Sequence, residues 1–135
     1  MVCRGHKLED LDRLIDLAKS TQSDLTIGER SIAAPMPWGR RIANRLMSKL
    51  VSLLTGFKIK DSQCGLRVMS RKFLEAYKFS SDGFEIETEM LHAAATLKFK
   101  LTTERVETIY CSGRKSHVRP VVDIYRFLKF IVSSN

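Results

Sequence analysis

Helical and extended periodicities alternate along this chain in the order α-β-α-β-α-β-α, which restricts it to a layered α/β domain with helices on a mixed or parallel sheet. Leu8 to Ser20 carries Leu11, Ile15 and Ala18 at helical spacing, widened by Leu14 and Leu17, with Glu9, Asp10 and Asp12 in the first turn, where the helix dipole favours them. Ser23 to Arg30 reads as a short strand with Leu25 and Ile27 on one side, and Gly28 near its end lets it present Arg30 at the carboxyl edge of a sheet. After the loop at Pro35-Met36-Pro37, Trp38 to Leu54 is the longest periodic segment. Ile42, Leu46, Leu50 and Leu54 form its apolar stripe, Arg41, Arg45 and Lys49 form a basic stripe beside it, and Gly56 ends it.

Leu66 and Met69 belong to a short strand-like run ending at Ser70, followed by a brief helix over Arg71 to Tyr77 and turn chemistry at Ser80-Ser81-Asp82-Gly83. A clear helix spans Phe84 to Phe99. Ile86, Met90, Ala93 and Leu97 make its apolar face, while Glu85, Glu89 and His92 lie together on another. Lys100 to Tyr110 is rich in Thr, Val, Ile and Tyr and reads as one strand. A polar loop, Cys111 to Arg119, leads to a last helix that begins near Pro120 and shows Ile124, Phe127, Leu128 and Ile131 on its apolar side.

The charge is unevenly placed. From Ser31 to Lys60 there is no acidic residue, yet Arg40, Arg41, Arg45, Lys49, Lys58 and Lys60 all fall there, and this run contributes much of the net +8. A second cluster, Arg114, Lys115, Arg119, Arg126 and Lys129, has only Asp123 against it. Such segments point to a phosphate-bearing partner, whether nucleic acid, an anionic membrane surface or a phosphorylated substrate, with a solvated basic surface as the bland alternative. For the 38–54 helix the alternatives are core packing with a solvated basic face, or a place at a membrane surface with Trp38 and the arginines at headgroup level.

Cys3, Cys64 and Cys111 are odd in number, far apart and without ligand spacing, so neither a disulfide framework nor a zinc site is expected and a reducing compartment fits. Residues 1–7 contain no apolar core of a signal peptide, and no window approaches the length of a spanning helix, so the expected location is cytoplasmic, peripheral on the inner face of a membrane. The sequence holds no phosphate-binding GxxxxGK[ST] loop, no GxGxxG, no GxSxG elbow and no HExxH, and His6, His92 and His117 are widely separated.

Between the basic helix and the acidic one lies Lys60-Asp61-Ser62-Gln63-Cys64-Gly65-Leu66-Arg67. A carboxylate, an amide, a glycine and a guanidinium occur there within seven residues, at a loop-to-strand junction where side chains can converge on an anionic ligand.

Four ordered segments carry a resemblance: Asp24-Leu25-Thr26-Ile27-Gly28-Glu29-Arg30; Asp61 to Arg67; Phe84-Glu85-Ile86-Glu87-Thr88-Glu89-Met90-Leu91; and Thr108-Ile109-Tyr110 with Lys115-Ser116-His117, Pro120 and Asp123. Together they resemble the family 2 glycosyltransferases, most closely the branch that transfers mannose or glucose to polyprenol (dolichol) phosphate. The resemblance implies the C-terminal half of a GT-A, Rossmann-like nucleotide-sugar transferase fold, with residues 1–135 as a single partial domain. It also implies that a nucleotide-binding half precedes this region and ends in acidic ligands for a divalent cation, Mg or Mn. His6 and Lys7 continue the family pattern, whereas Met1 to Gly5 contain no aspartate, so those ligands are expected to be absent here.

For the complete enzyme the resemblance implies an inverting displacement in which a lipid phosphate oxygen attacks the anomeric carbon of a nucleotide sugar. Arg30 and Arg67 are expected to clamp phosphate, Asp61 and Gln63 to line the acceptor side, Glu89 to face substrate, and Arg114, Lys115 and Ser116 to belong to a loop closing over it. Asp61 could equally cap its own loop, and Glu29 departs from the small residue common after that glycine. The competing classes are an inactive fragment or interaction module of the same fold, which would expose strand edges and self-associate, and a nucleic-acid-binding domain. The last ranks lowest, because the aromatics sit mostly at apolar helix positions rather than among the basic residues.

Overall fold

The computed structural model describes residues 4–31, 38–80 and 85–110, together with 125, 126, 128, 129, 132 and 133, which are helical. In order the elements are β1 (Arg4–His6), α1 (Leu8–Thr21), β2 (Leu25–Arg30), α2 (Trp38–Thr55), β3 (Arg67–Met69), α3 (Arg71–Ala76), α4 (Glu85–Thr96), β4 (Leu101–Val106) and β5 (Thr108–Tyr110). The expected α/β class is what the chain adopts, with helices packed on a small mixed sheet.

That sheet has three strands in the order β3-β2-β4. Central β2 runs antiparallel to β3 and parallel to β4, so the carboxyl ends of β2 and β4 lie side by side at Arg30 and Val106. Residues 25–28 of β2 are buried on both faces, as a central strand requires. Leu25 and Ile27 join Met47 and Val51 of α2, Phe73 of α3 and Leu91, Ala93 and Ala94 of α4 in one core, where Phe73 meets Phe99 and Phe79 edge to face, with ring centroids 5.2 and 5.9 Å away. The opposite face packs Cys64 and Val106 beneath Leu14 of α1.

Polar contacts set the ends of these elements. Asp24 accepts from Lys100 N–H at 3.1 Å and from the Ser70 hydroxyl at 3.0 Å, which ties the ends of both neighbouring strands to the start of β2. Ser70 Oγ also accepts from Phe73 N–H at 3.1 Å and so caps α3. Gly56, at φ 76°, closes α2 by donating its N–H to Ser52 O at 2.9 Å, a left-handed position where a side chain would be strained.

Three sequence expectations need correction. The single strand over Lys100 to Tyr110 is two: at Glu107 the backbone N–H turns to the buried Asp10 Oδ2, 3.0 Å away on α1, and the chain leaves the sheet. Beyond that break β5 pairs antiparallel with β1, a strand too short to show alternation in the sequence. Of the stripe Ile42, Leu46, Leu50 and Leu54, only Leu50 packs against the core; the other three are 47%, 48% and 52% exposed, while Met47, Ser48 and Val51 are buried. In α4 the buried face is likewise rotated, to Thr88, Glu89, Leu91, Ala93 and Ala94, leaving Leu97 outside. Most of the expected last helix and the 111–119 loop lie outside the described residues.

Gly28 is fixed by space rather than by backbone angle. A Cβ there would meet both γ-methyls of Val106 at 3.0 Å and Cys64 Sγ at 3.3 Å. Gly28→Ala is therefore expected to destabilise the fold by about 1–3 kcal/mol through overpacking, read as a lower urea midpoint with unchanged slope.

Candidate functional site

Arg30 leaves the carboxyl end of β2, and its guanidinium lies against Asp61 in the loop after α2. Nε and Nη2 donate to the two carboxylate oxygens at 2.6 and 2.9 Å, and the Arg30 backbone N–H adds a third bond at 3.2 Å. Asn44 of α2 donates its Nδ2 to Asp61 Oδ1 at 3.1 Å, so strand, helix and loop meet on one carboxylate. The loop is held to α2 again where Ser62 N–H donates to Ser48 Oγ at 2.9 Å and where Ser52 Oγ bonds both the N–H and the carbonyl of Ile59, each at 3.1 Å.

Burial alone would raise the pKa of Asp61. The hydrogen bond and charge of Arg30, with the amide of Asn44, outweigh it and hold the carboxyl below its ordinary value of 3.8. At neutral pH Asp61 is a carboxylate with both oxygens occupied. Its geometry suits orienting Arg30 more than accepting a proton.

Beside this pair opens a cavity of about 710 Å³, walled by the end of β2, the basic side of α2, the loop at 58–61 and Arg105 at the end of β4. Arg30, Arg41, Arg45, Lys49, Lys58, Lys60 and Arg105 line it against two carboxylates, Glu29 and Asp61. Of those carboxylates, Asp61 is engaged by Arg30, and Glu29 accepts the Lys60 N–H at 3.0 Å. A concave surface with this excess of cations at the carboxyl ends of a parallel strand pair fits a multiply charged anion such as a phosphate group.

The structure brings Arg30 and Asp61 together at this cavity, while Gln63, Arg67 and Glu89 do not line it. Gln63 stands just behind it, its backbone N–H 3.3 Å from Asp61 Oδ1 and its amide 3.5 Å from Ser62 Oγ. Arg67 does not line the cavity. Its guanidinium is spent on carbonyl oxygens, with Nε on Cys64 at 3.1 Å, Nη2 on Ser62 at 2.7 Å and Nη1 on Glu87 at 2.8 Å, and it clips the 62–64 turn to α4. Glu89, expected to face substrate, is fully buried and accepts from Tyr77 Oη at 3.2 Å, Ser80 N–H at 2.8 Å and Ser80 Oγ at 3.0 Å, which ties α4 to the chain just after α3. Arg114, Lys115 and Ser116 lie outside the described residues.

Sequence reasoning missed Asn44, Arg105 and Glu87. The acid-free run already marked Arg41, Arg45, Lys49, Lys58 and Lys60 as a basic group, but nothing in a loosely alternating strand marked Arg105. Glu87 lies near Arg67, Arg30 and Asp61; burial raises its pKa above the ordinary carboxylate value, the two arginines only partly counter that, and its Oε2 has no hydrogen-bond partner among the described residues.

No family model matches the chain. Over 132 residues it is 24% identical to the low-salt glycan biosynthesis hexosyltransferase Agl6 of Haloferax volcanii, which covers 94% of this chain and 32% of that protein. The chain resembles part of a hexosyltransferase. It is also 27% identical to each of two uncharacterised proteins of Methanocaldococcus jannaschii, over 93% and 91% of its own length and 58% and 53% of theirs. It thus spans between about a third and three fifths of these relatives. Among the described residues no helix is long and apolar enough to cross a membrane.

Asp61→Asn removes the charge paired with the partly buried Arg30 guanidinium and is expected to cost about 2–3 kcal/mol at neutral pH. Because the folded pKa of Asp61 is lowered, the pair's contribution is present above the ordinary value of 3.8 and is lost as pH falls from there through the lowered one. Urea unfolding followed from neutral to acid pH should show that loss in the wild type and not in Asp61→Asn. Arg67→Lys, which cannot span the three carbonyls, is expected to lower stability by about 2 kcal/mol in the same assay.

Proposed function

We propose that this chain forms the acceptor side of a glycosyltransferase, with the basic cavity holding the phosphate of a polyprenyl phosphate while a nucleotide sugar is brought against it. The observation that carries the reading is the cavity itself: seven cationic side chains around one concave surface at the carboxyl ends of β2 and β4, in a chain that resembles part of a hexosyltransferase. The similarity to Agl6 supports sugar transfer, and the cavity supports an anionic acceptor.

A phosphate monoester has its second pKa at about 6, so at neutral pH the acceptor oxygen is already ionised and the step needs placement and charge balance more than a base. In the proposed reaction that oxygen attacks the anomeric carbon, the bond from carbon to the diphosphate oxygen breaks, and the nucleoside diphosphate leaves with the electron pair, inverting the configuration. Arg45, Lys49, Lys58 and Lys60 offset the charge of the incoming phosphate. Arg30, oriented by Asp61, fixes one wall of the cavity and adds its charge there.

Among the described residues no three His, Cys, Asp or Glu side chains converge, and no step is assigned to a metal.

The reading is tested with a short-chain polyprenyl phosphate and the matching polyprenol, each presented in neutral detergent and titrated calorimetrically. The phosphate is expected to bind, with affinity falling as salt is raised, and the alcohol is not. Arg45→Ala with Lys49→Ala removes two exposed cations without touching the core and should weaken the phosphate by about tenfold or more. Equal binding of phosphate and alcohol, or no effect of the double substitution, would remove the cavity from acceptor recognition.

A further inference from the structure

Helix α2 presents three sides, and the core and the cavity account for two of them. Met47 and Val51 face the core, and Arg41, Arg45 and Lys49 turn toward the cavity. A third side carries Trp38, Ile42, Leu46 and Leu53, which are 79%, 47%, 48% and 74% exposed. At 3.6 residues per turn these four fall within roughly 80° of arc, directly beside the basic stripe, and reach from the first turn of α2 to its last. Lone exposed apolar residues are ordinary; an aligned ridge of a tryptophan, an isoleucine and two leucines is not.

We infer that this ridge docks on an anionic phospholipid bilayer, with Trp38, Ile42, Leu46 and Leu53 inserted at the interface and the adjoining cations on lipid phosphates. Charge decides between occupants. Residues 31–60 contain no Asp or Glu, so the ridge is bordered by positive charge with no carboxylate of its own segment to oppose a negatively charged surface. A second copy of this chain packed by two-fold symmetry would instead set one basic stripe against the other, a like-charge arrangement that a bilayer avoids. Tryptophan at the end of such a helix suits the headgroup boundary, where its ring is apolar and its N–H meets polar groups. The orientation would also turn the mouth of the basic cavity toward the lipid surface, since its α2 wall and the ridge share one helix. The docking does not depend on the proposed sugar transfer.

Trp38 is the single tryptophan of the chain, so its fluorescence reports the ridge directly. The probes are vesicles of phosphatidylcholine alone and of phosphatidylcholine with phosphatidylglycerol, both free of polyprenyl phosphate. The mixed vesicles are expected to shift Trp38 emission to the blue and to quench it when their acyl chains are brominated; the neutral vesicles should do so far more weakly. Ile42→Glu and Leu53→Glu, each at an exposed position outside the core, should lower partitioning by about tenfold or more while leaving the urea midpoint unchanged. Unchanged emission with the mixed vesicles, or equal partitioning of the wild type and both variants, overturns the inference. So does a dimer in sedimentation that Leu53→Glu dissociates while vesicles leave Trp38 unaffected. Failure of the calorimetric phosphate titration alone would leave the docking intact.

Discussion

The ion pair between Arg30 and Asp61 is the contact on which the arrangement of the site depends. One carboxylate receives the guanidinium of β2, the backbone N–H of the same residue and the amide of Asn44 on α2, so the last turn of the loop cannot shift without breaking all of them. A pair this well enclosed adds little net stability, because desolvation opposes the attraction, but it is costly to break from one side. Its effect is therefore on position. It fixes the loop at 58–61 across the end of the sheet, and with it Lys58 and Lys60 opposite the cations of α2.

The two arginines that the sequence put forward as equivalents divide the labour. Arg30 has its partner on a side chain at the rim of the cavity, whereas Arg67 meets three carbonyl oxygens behind the same loop. A planar group with five donors can bridge carbonyls that point in different directions, which an ammonium cannot do from one position. Arg67 thus shapes the wall from behind while Arg30 forms part of it. Glu89 makes a similar point for carboxyl groups: three donors from Tyr77 and Ser80 compensate its burial, so a polar group in the core ties α4 to the chain after α3.

Much of the secondary structure was legible along the chain. The four described helices of six or more residues, the central strand and the glycine that ends α2 fall close to where periodicity and turn chemistry place them. What periodicity could not supply was the direction of a helix with apolar residues on more than one side. In α2 the sequence favours Ile42, Leu46, Leu50 and Leu54 because they recur at intervals of four, yet of these only Leu50 joins Met47 and Val51 against the core, on the side where Ser48 bonds Ser62. In α4 an acidic residue reads as solvent-facing unless its buried donors are known. The break at Glu107 escaped for the same reason, as it depends on Asp10, 97 positions earlier in the chain.

By itself, the sequence determined the alternation of helices and strands, the absence of acid between residues 31 and 60, and the clustering of a carboxylate with a guanidinium after α2. These are properties of neighbours, which spacing and composition record. Only the tertiary structure decided which guanidinium lines a cavity and which is enclosed, that Arg105 joins the cations of α2, and that three of the four residues in the regular apolar stripe of that helix face outward. Each of these depends on groups far apart in sequence competing for the same donors, acceptors and volume.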